Sequence, residues 1–267
     1  MSRQFIEANS FLLAFQALLV ALTGAGIPPW LDRLKSRGWA LLLPVSIAGV
    51  VAGIAIFPQL ADALTWIALI LVPPGAILAL SWALHGARPA LGIIAAALVV
   101  FAWVETGTLA GDAAAALCTA LSAATLGRLL AGIVPMVYLK LGIVAFAVID
   151  AFLVFGNQLQ GPNAVLNAAV PAPGLPQLQY LELHYASMGY GDVLVAGVLG
   201  GVLATEGRRQ WPVGLLVFVL AVLWDLLFLL DSINTLPATV PIAAALILVE
   251  VKPWLSTRRR PGTSSAS

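Results

Sequence analysis

The sequence predicts an all-α, polytopic membrane protein of about nine transmembrane helices, and three observations carry that prediction. Of its 267 residues 61% are hydrophobic and only 9% charged, with a mean hydropathy of +1.01, whereas a soluble domain averages about 25% charged residues. The apolar residues form long runs divided by short polar breaks. Lys and Arg fall in alternate breaks, as they do when short basic loops are kept on one side of a bilayer.

The same composition closes off other chemistries. The single cysteine, Cys118, cannot form an intramolecular disulfide or a cysteine metal cluster, and the two histidines, His85 and His184, are far apart in the chain. The expectation is therefore no cofactor and no metal. A net charge of +1 gathers no nucleic acid.

A bilayer core of about 30 Å needs roughly 20 apolar residues per helix, and lipid leaves no room for unpaired backbone. The first run, Phe11 to Ile27, lacks the basic leader and the small-x-small cleavage site of a signal peptide, so it reads as a span. Trp39 to Phe57 and Leu64 to Leu84 follow. Leu91 to Val104 and Ala113 to Leu126 are short, and the latter is the weakest of the series, which leaves eight spans as the competing count. Ile133 to Phe155, Ala186 to Thr205, Trp211 to Leu230 and a short Leu236 to Val251 complete it. Residues 1–130 thus form an N-terminal bundle of about five spans. Residues 131–255 form a second bundle holding the one long connection, 156–185, and 256–267 is a basic, Ser/Thr/Pro-rich tail expected to be disordered.

Arg33, Lys35 and Arg37 follow the first run, Arg88 the third, Arg128 the fifth, Arg208 and Arg209 the seventh, and Lys252 with Arg258 to Arg260 the ninth. That alternation predicts an N-terminus outside and a C-terminus in the cytoplasm of a multi-pass plasma-membrane protein, with the lipid bilayer as its constant partner.

Ionisable groups within spans cost at least about 2.5 kcal/mol at a helix centre, so each is a functional candidate. Asp150, in VAFAVIDAFLVFG, lies six residues before Gly156, which is about 9 Å below the outer end of its helix. Asp192, in ASMGYGDVLVAGVLGG, lies about six residues into the next, antiparallel span, at about the same depth. Gly189 and Gly191 clear space ahead of it, and Gly197 with Gly201 makes a small-xxx-small face for close helix contact. Two carboxyls a few ångströms apart do not both ionise cheaply; one keeps a proton, and a water between them can be activated against an amide. Asp225 sits at similar depth without a glycine beside it and reads as a partner of neighbouring helices. Lys140 reads as snorkelling to the cytoplasm, being about 15 Å along the helix from Asp150. Glu250 and Glu182 read as solvated groups, and LQYLEL in the long connection as a strand edge.

VIDAFLVFG, MGYGDVLVAGVLGG and NTLPATVPIA, in that order, resemble the GxGD intramembrane aspartyl proteases, the presenilin and signal peptide peptidase family, in a prokaryotic-type homologue. The resemblance implies a presenilin-like fold, Asp150 and Asp192 as the catalytic pair, and Gly189, Tyr190, Gly191, Pro237, Ala238 and Thr239 as substrate-binding positions. It also implies transmembrane helical peptides as substrates, type II in sense or leftover signal peptides. Ile149 stands where the family has tyrosine, and Thr239 where its Pro-Ala-Leu motif has leucine. Three alternatives stay open: a prepilin-peptidase-like protease, although Leu194 stands where those carry lysine; a cation or proton transporter using Asp150, Asp192 and Asp225; and a homologue that binds helices without cutting them. The sequence sets no oligomeric state.

Overall fold

The structure is a computed structural model describing residues 3–183, 186–229 and 235–251. His184, Asp231 and the basic tail lie outside the described residues. The elements run α1 (Arg3–Leu22), α2 (Leu42–Ile56), α3 (Leu60–Leu78), α4 (Gly92–Val104), α5 (Leu109–Ile133), α6 (Met136–Phe155), α7 (Gln160–Ala168), β1 (Tyr180–Leu183), β2 (Ala186–Gly189), α8 (Tyr190–Thr205), α9 (Gln210–Asp225) and α10 (Val240–Val251). The chain is mostly helical. Among the described residues five helical segments are long and apolar enough to cross a membrane: Arg37–Ile56, Leu60–Ala83, Leu109–Ile133, Met136–Phe155 and Gln210–Phe228. The apolar helices Glu7–Leu22, Pro89–Val104, Tyr190–Thr205 and Val240–Val251 are shorter.

Two elements differ from the sequence expectation for physical reasons. The run that looked weakest is α5, the longest described helix at 25 residues and the best buried of the five long spans. Its Ala, Gly, Ser, Thr and Cys side chains lower its hydropathy because it faces protein instead of lipid, and small residues let other backbones approach closely. A Cβ on Gly127 of α5 would sit 2.3 Å from the Gly197 carbonyl carbon of α8, and one on Gly201 would sit 3.0 Å from the Gly127 oxygen. The small face of α8 therefore packs on α5, not on α6. On the other side of α5, Thr125 donates its hydroxyl to the Gly75 carbonyl of α3 at 2.7 Å.

The second difference is the start of the seventh run. Residues Ala186 to Gly189 are strand, paired antiparallel with β1 in the register Tyr180 to Gly189, Leu181 to Met188, Glu182 to Ser187 and Leu183 to Ala186. Leu181 and Met188 turn inward while Glu182 and Ser187 face out, the period of two that a half-buried strand requires. The LQYLEL strand is thus present, docked on α5 and α1. Non-helical backbone at bundle depth is tolerated here because pairing satisfies its polar groups within protein. Leading into β1, Gln177 and Gln179 donate their side-chain amides to carbonyls at the end of α7, which caps that helix and accounts for two glutamines of the loop. At the strand, burial and the Glu182 carboxylate push the Tyr180 hydroxyl's pKa up.

One core cluster runs through α1, α5, α6, the hairpin, α8, α9 and α10. The boundary at 130/131 falls inside this shared core, so the described residues of both halves pack as one bundle.

Candidate active site

Asp150 lies five residues before the end of α6 and is buried, 5% exposed. Its Oδ2 accepts the Thr239 hydroxyl at 2.5 Å, and the Thr239 main-chain amide also points at the carboxylate. Thr239 is itself wholly buried, in the turn that opens α10. Pro237 and Ala238 precede it as non-helical chain and turn, and Pro241 occupies the first turn of α10, where a missing N–H costs nothing.

Asp192 is the third residue of α8, in its first turn, because the hairpin takes the residues that the sequence reading assigned to helix. Its Oδ2 accepts the Gly189 N–H at 3.1 Å, the carboxylate half of a capping box. A Cβ on Gly189 would lie 3.2 Å from that same oxygen, so the glycine leaves the carboxylate its place. Gly191 serves α6: a Cβ there would meet the Phe146 ring at 2.8 Å. With that ring seated on Gly191, the first turn of α8 rests one helical turn from Asp150, and the Asp150 charge acts on Asp192. Asp192 is partly exposed and Gly189 is exposed, whereas Asp150 is enclosed. What accessible surface the pair has is on Asp192.

The other sequence-predicted residues divide. Tyr190 turns to α5, its hydroxyl 3.1 Å from Ser122 Oγ, and anchors the start of α8. Asp225 takes a short hydrogen bond from the Asn9 side chain of α1 and so joins α9 to α1. Lys140 pairs with Glu206 at 2.5 Å and Glu250 at 2.9 Å, and Arg208 with the same two glutamates at 2.9 Å each. This cluster lies at the opposite end of α6 from Asp150; Glu250, read as merely solvated, is part of it. Sequence reasoning missed Gln16. It is fully buried in α1, its Nε2 3.4 Å from the Asp192 carbonyl oxygen and its Oε1 without a partner among the described residues. The signal was a lone amide in the apolar stretch FLLAFQALLV, overlooked because only charged groups were weighed. A mostly apolar cleft of about 460 Å³ lies elsewhere, between α3, α4, α5 and Leu175 to Leu178, with Cys118 on its wall.

No protein-family model, curated protein or solved structure matches the chain.

Proposed function

We propose that the protein is an intramembrane aspartyl protease of the GxGD type, hydrolysing peptide bonds of transmembrane segments with Asp150 and Asp192. The observation that carries this reading is the meeting of those two carboxyls from α6 and α8, one enclosed and one opening outward, with the chain before α10 closing on the first. Two carboxyls close enough to act on each other do not both ionise cheaply, so the pair holds one proton between them. The ionised member takes a proton from water while the water oxygen bonds to the peptide carbonyl carbon. The carbonyl oxygen takes the proton held by the other carboxyl, giving a gem-diol. Collapse breaks the carbon–nitrogen bond and returns a proton to the leaving amine. The pair titrates as a unit.

A helical substrate has its carbonyls engaged, so it must unwind before attack. The hairpin β1–β2 and the non-helical chain at Thr235 to Pro237 flank the pair and offer backbone for pairing with an extended segment. In the proposed topology the nine apolar helices all cross the bilayer, the basic ends lie in the cytoplasm and the aspartates open to the exterior. That orientation disfavours the prepilin-peptidase alternative, whose aspartates face the cytoplasm.

The test is purified protein in detergent with a helical reporter peptide, comparing wild type with Asp150→Ala and Asp192→Ala. Cleavage by wild type and by neither variant is expected. Cleavage that survives both substitutions rejects the pair, and ion flux lost in both without any proteolysis favours transport. A topology tag at Gly174 should report the exterior; a cytoplasmic report returns the prepilin-peptidase reading.

A further inference from the structure

We propose that Thr239 is a positioning residue for this pair: its hydroxyl holds Asp150 Oδ2, which fixes the carboxylate plane and leaves Oδ1 as the oxygen presented to water. The proposal rests on the proteolytic reading above and adds a role to a residue there counted only as part of the substrate-binding turn.

Four features of the geometry converge on it. The Thr239 side chain is wholly enclosed, so its hydroxyl must find a partner inside the protein, and the partner it has is a carboxylate 2.5 Å away. A hydrogen bond to a carboxylate is among the strong ones, and a short O–H···O contact of this kind sets orientation tightly. The hydroxyl's donated hydrogen bond leaves its own helix. Thr239 stands at the N-cap of α10, where a threonine ordinarily accepts from the N–H groups of the first turn, yet its oxygen is directed across to α6. Its carbonyl does take part in α10, accepting the Ala243 N–H at 3.0 Å, so the residue is held by the helix while its side chain serves the aspartate. Finally, α10 presents its N-terminus to Asp150, and an anion is favoured there by the partial positive charge of the unpaired amides. Asp192 receives a different kind of support, one main-chain N–H from Gly189 on its own chain segment. Among the described residues Asp150 is the member of the pair held by a side chain from the start of α10, so any motion of α10 relative to α6 acts on that carboxylate first.

The experiment compares Thr239→Val, close in shape and without a donor, with Thr239→Ser, which restores the donor, in the full-length protein in detergent with the same reporter. Thr239→Ala is the second donorless variant should Thr239→Val not fold. Loss of kcat on the order of tenfold to a hundredfold is expected for the donorless variants, the scale on which a misplaced reacting group slows a reaction. KM should stay within about threefold, and Thr239→Ser should recover most of the rate. A donorless variant that cleaves at the wild-type kcat, a change confined to KM, or a serine variant no better than valine overturns the role. Those results arise in a wild type that cleaves and leave the proteolytic reading standing. A wild type that does not cleave overturns both.

Discussion

The closest backbone approach described between helices is that of Gly127 in α5 to Gly197 in α8, and Gly127→Ala is the substitution that tests it. The added Cβ would meet the Gly197 carbonyl carbon at 2.3 Å, its oxygen at 2.6 Å and the Val198 nitrogen at 2.6 Å, where ordinary contact begins at 3.4 Å. All three atoms are main chain, so no side chain can swing aside, and the helices must part by about 1 Å. Overpacking of this kind costs about 1 to 3 kcal/mol. The displacement also reaches the site. Gly197 is five residues along the same helix from Asp192, and a helix moves as a rod over that length, so Asp192 shifts against Asp150 by a comparable amount. A misplacement of about 1 Å costs roughly a hundredfold in rate, equivalent to about 2.7 kcal/mol. The assay pairs thermal unfolding in detergent with reporter cleavage, and Gly49→Ala is the control. Gly49 lies in α2 with open space around its would-be Cβ, so that substitution should leave activity alone and shift stability by no more than about 1 kcal/mol, toward greater stability. A Gly127→Ala protein as stable and as active as wild type refutes the α5–α8 contact.

Asp225→Asn keeps a hydrogen-bonding group opposite Asn9 and should retain cleavage within about threefold, whereas a loss on the scale of the Asp150 and Asp192 variants would bring Asp225 into the machinery. Glu206→Gln removes one anion of the Lys140, Arg208 and Glu250 cluster; in low salt it should lower stability by about 1 kcal/mol, since these side chains are only partly screened from water. The difference from wild type should narrow in about 1 M salt, where the Debye length falls to roughly 3 Å, and a loss indifferent to salt would point to packing instead.

The mostly helical, membrane-spanning character was legible in the runs of apolar residues, and the placing of Asp150 and Asp192 on packed helices rested on their matched distance from a polar break. The arithmetic behind the second was only half right. Asp150 is indeed near the end of α6, but Asp192 is in the first turn of its helix, and the hairpin supplies the chain that the reading counted as helix. Ala186 to Gly189 carries no charge and leads toward the apolar stretch that begins at Val193, so hydropathy alone could not separate strand from helix there. The centrality of α5 was illegible for a related reason. A helix buried against other helices is selected for small side chains rather than apolar ones, and a hydropathy scan scores that as weakness. Thr239 was located by its motif, yet its contact with Asp150 depends on how α10 meets α6, which no local pattern encodes.

The two ends of the bundle are held differently, and under the proposed function the difference would bear on where a peptide enters. At the basic end, Gln210 donates to the carbonyls of Val20, Thr23 and Gly200 and meets His85 Nε2 at 2.6 Å, tying α1, α8 and α9 together. Arg128 spans from the Gly26 carbonyl to that of Trp82 and stacks over the Trp82 ring. The ion cluster joins α6 to α10 and to the end of α8, the same three helices that carry Asp150, Thr239 and Asp192. At the aspartate end, exposed Gly189 borders the pair, and the polar link between α6 and α10 described there is the one through Thr239. Separating α6 from α10 at the basic end would break several charged contacts at once, while among the described residues separating them at the other breaks the contacts of Thr239 with Asp150. On the proteolytic reading proposed above, α6 and α10 would therefore part more readily at the aspartates than at the basic end.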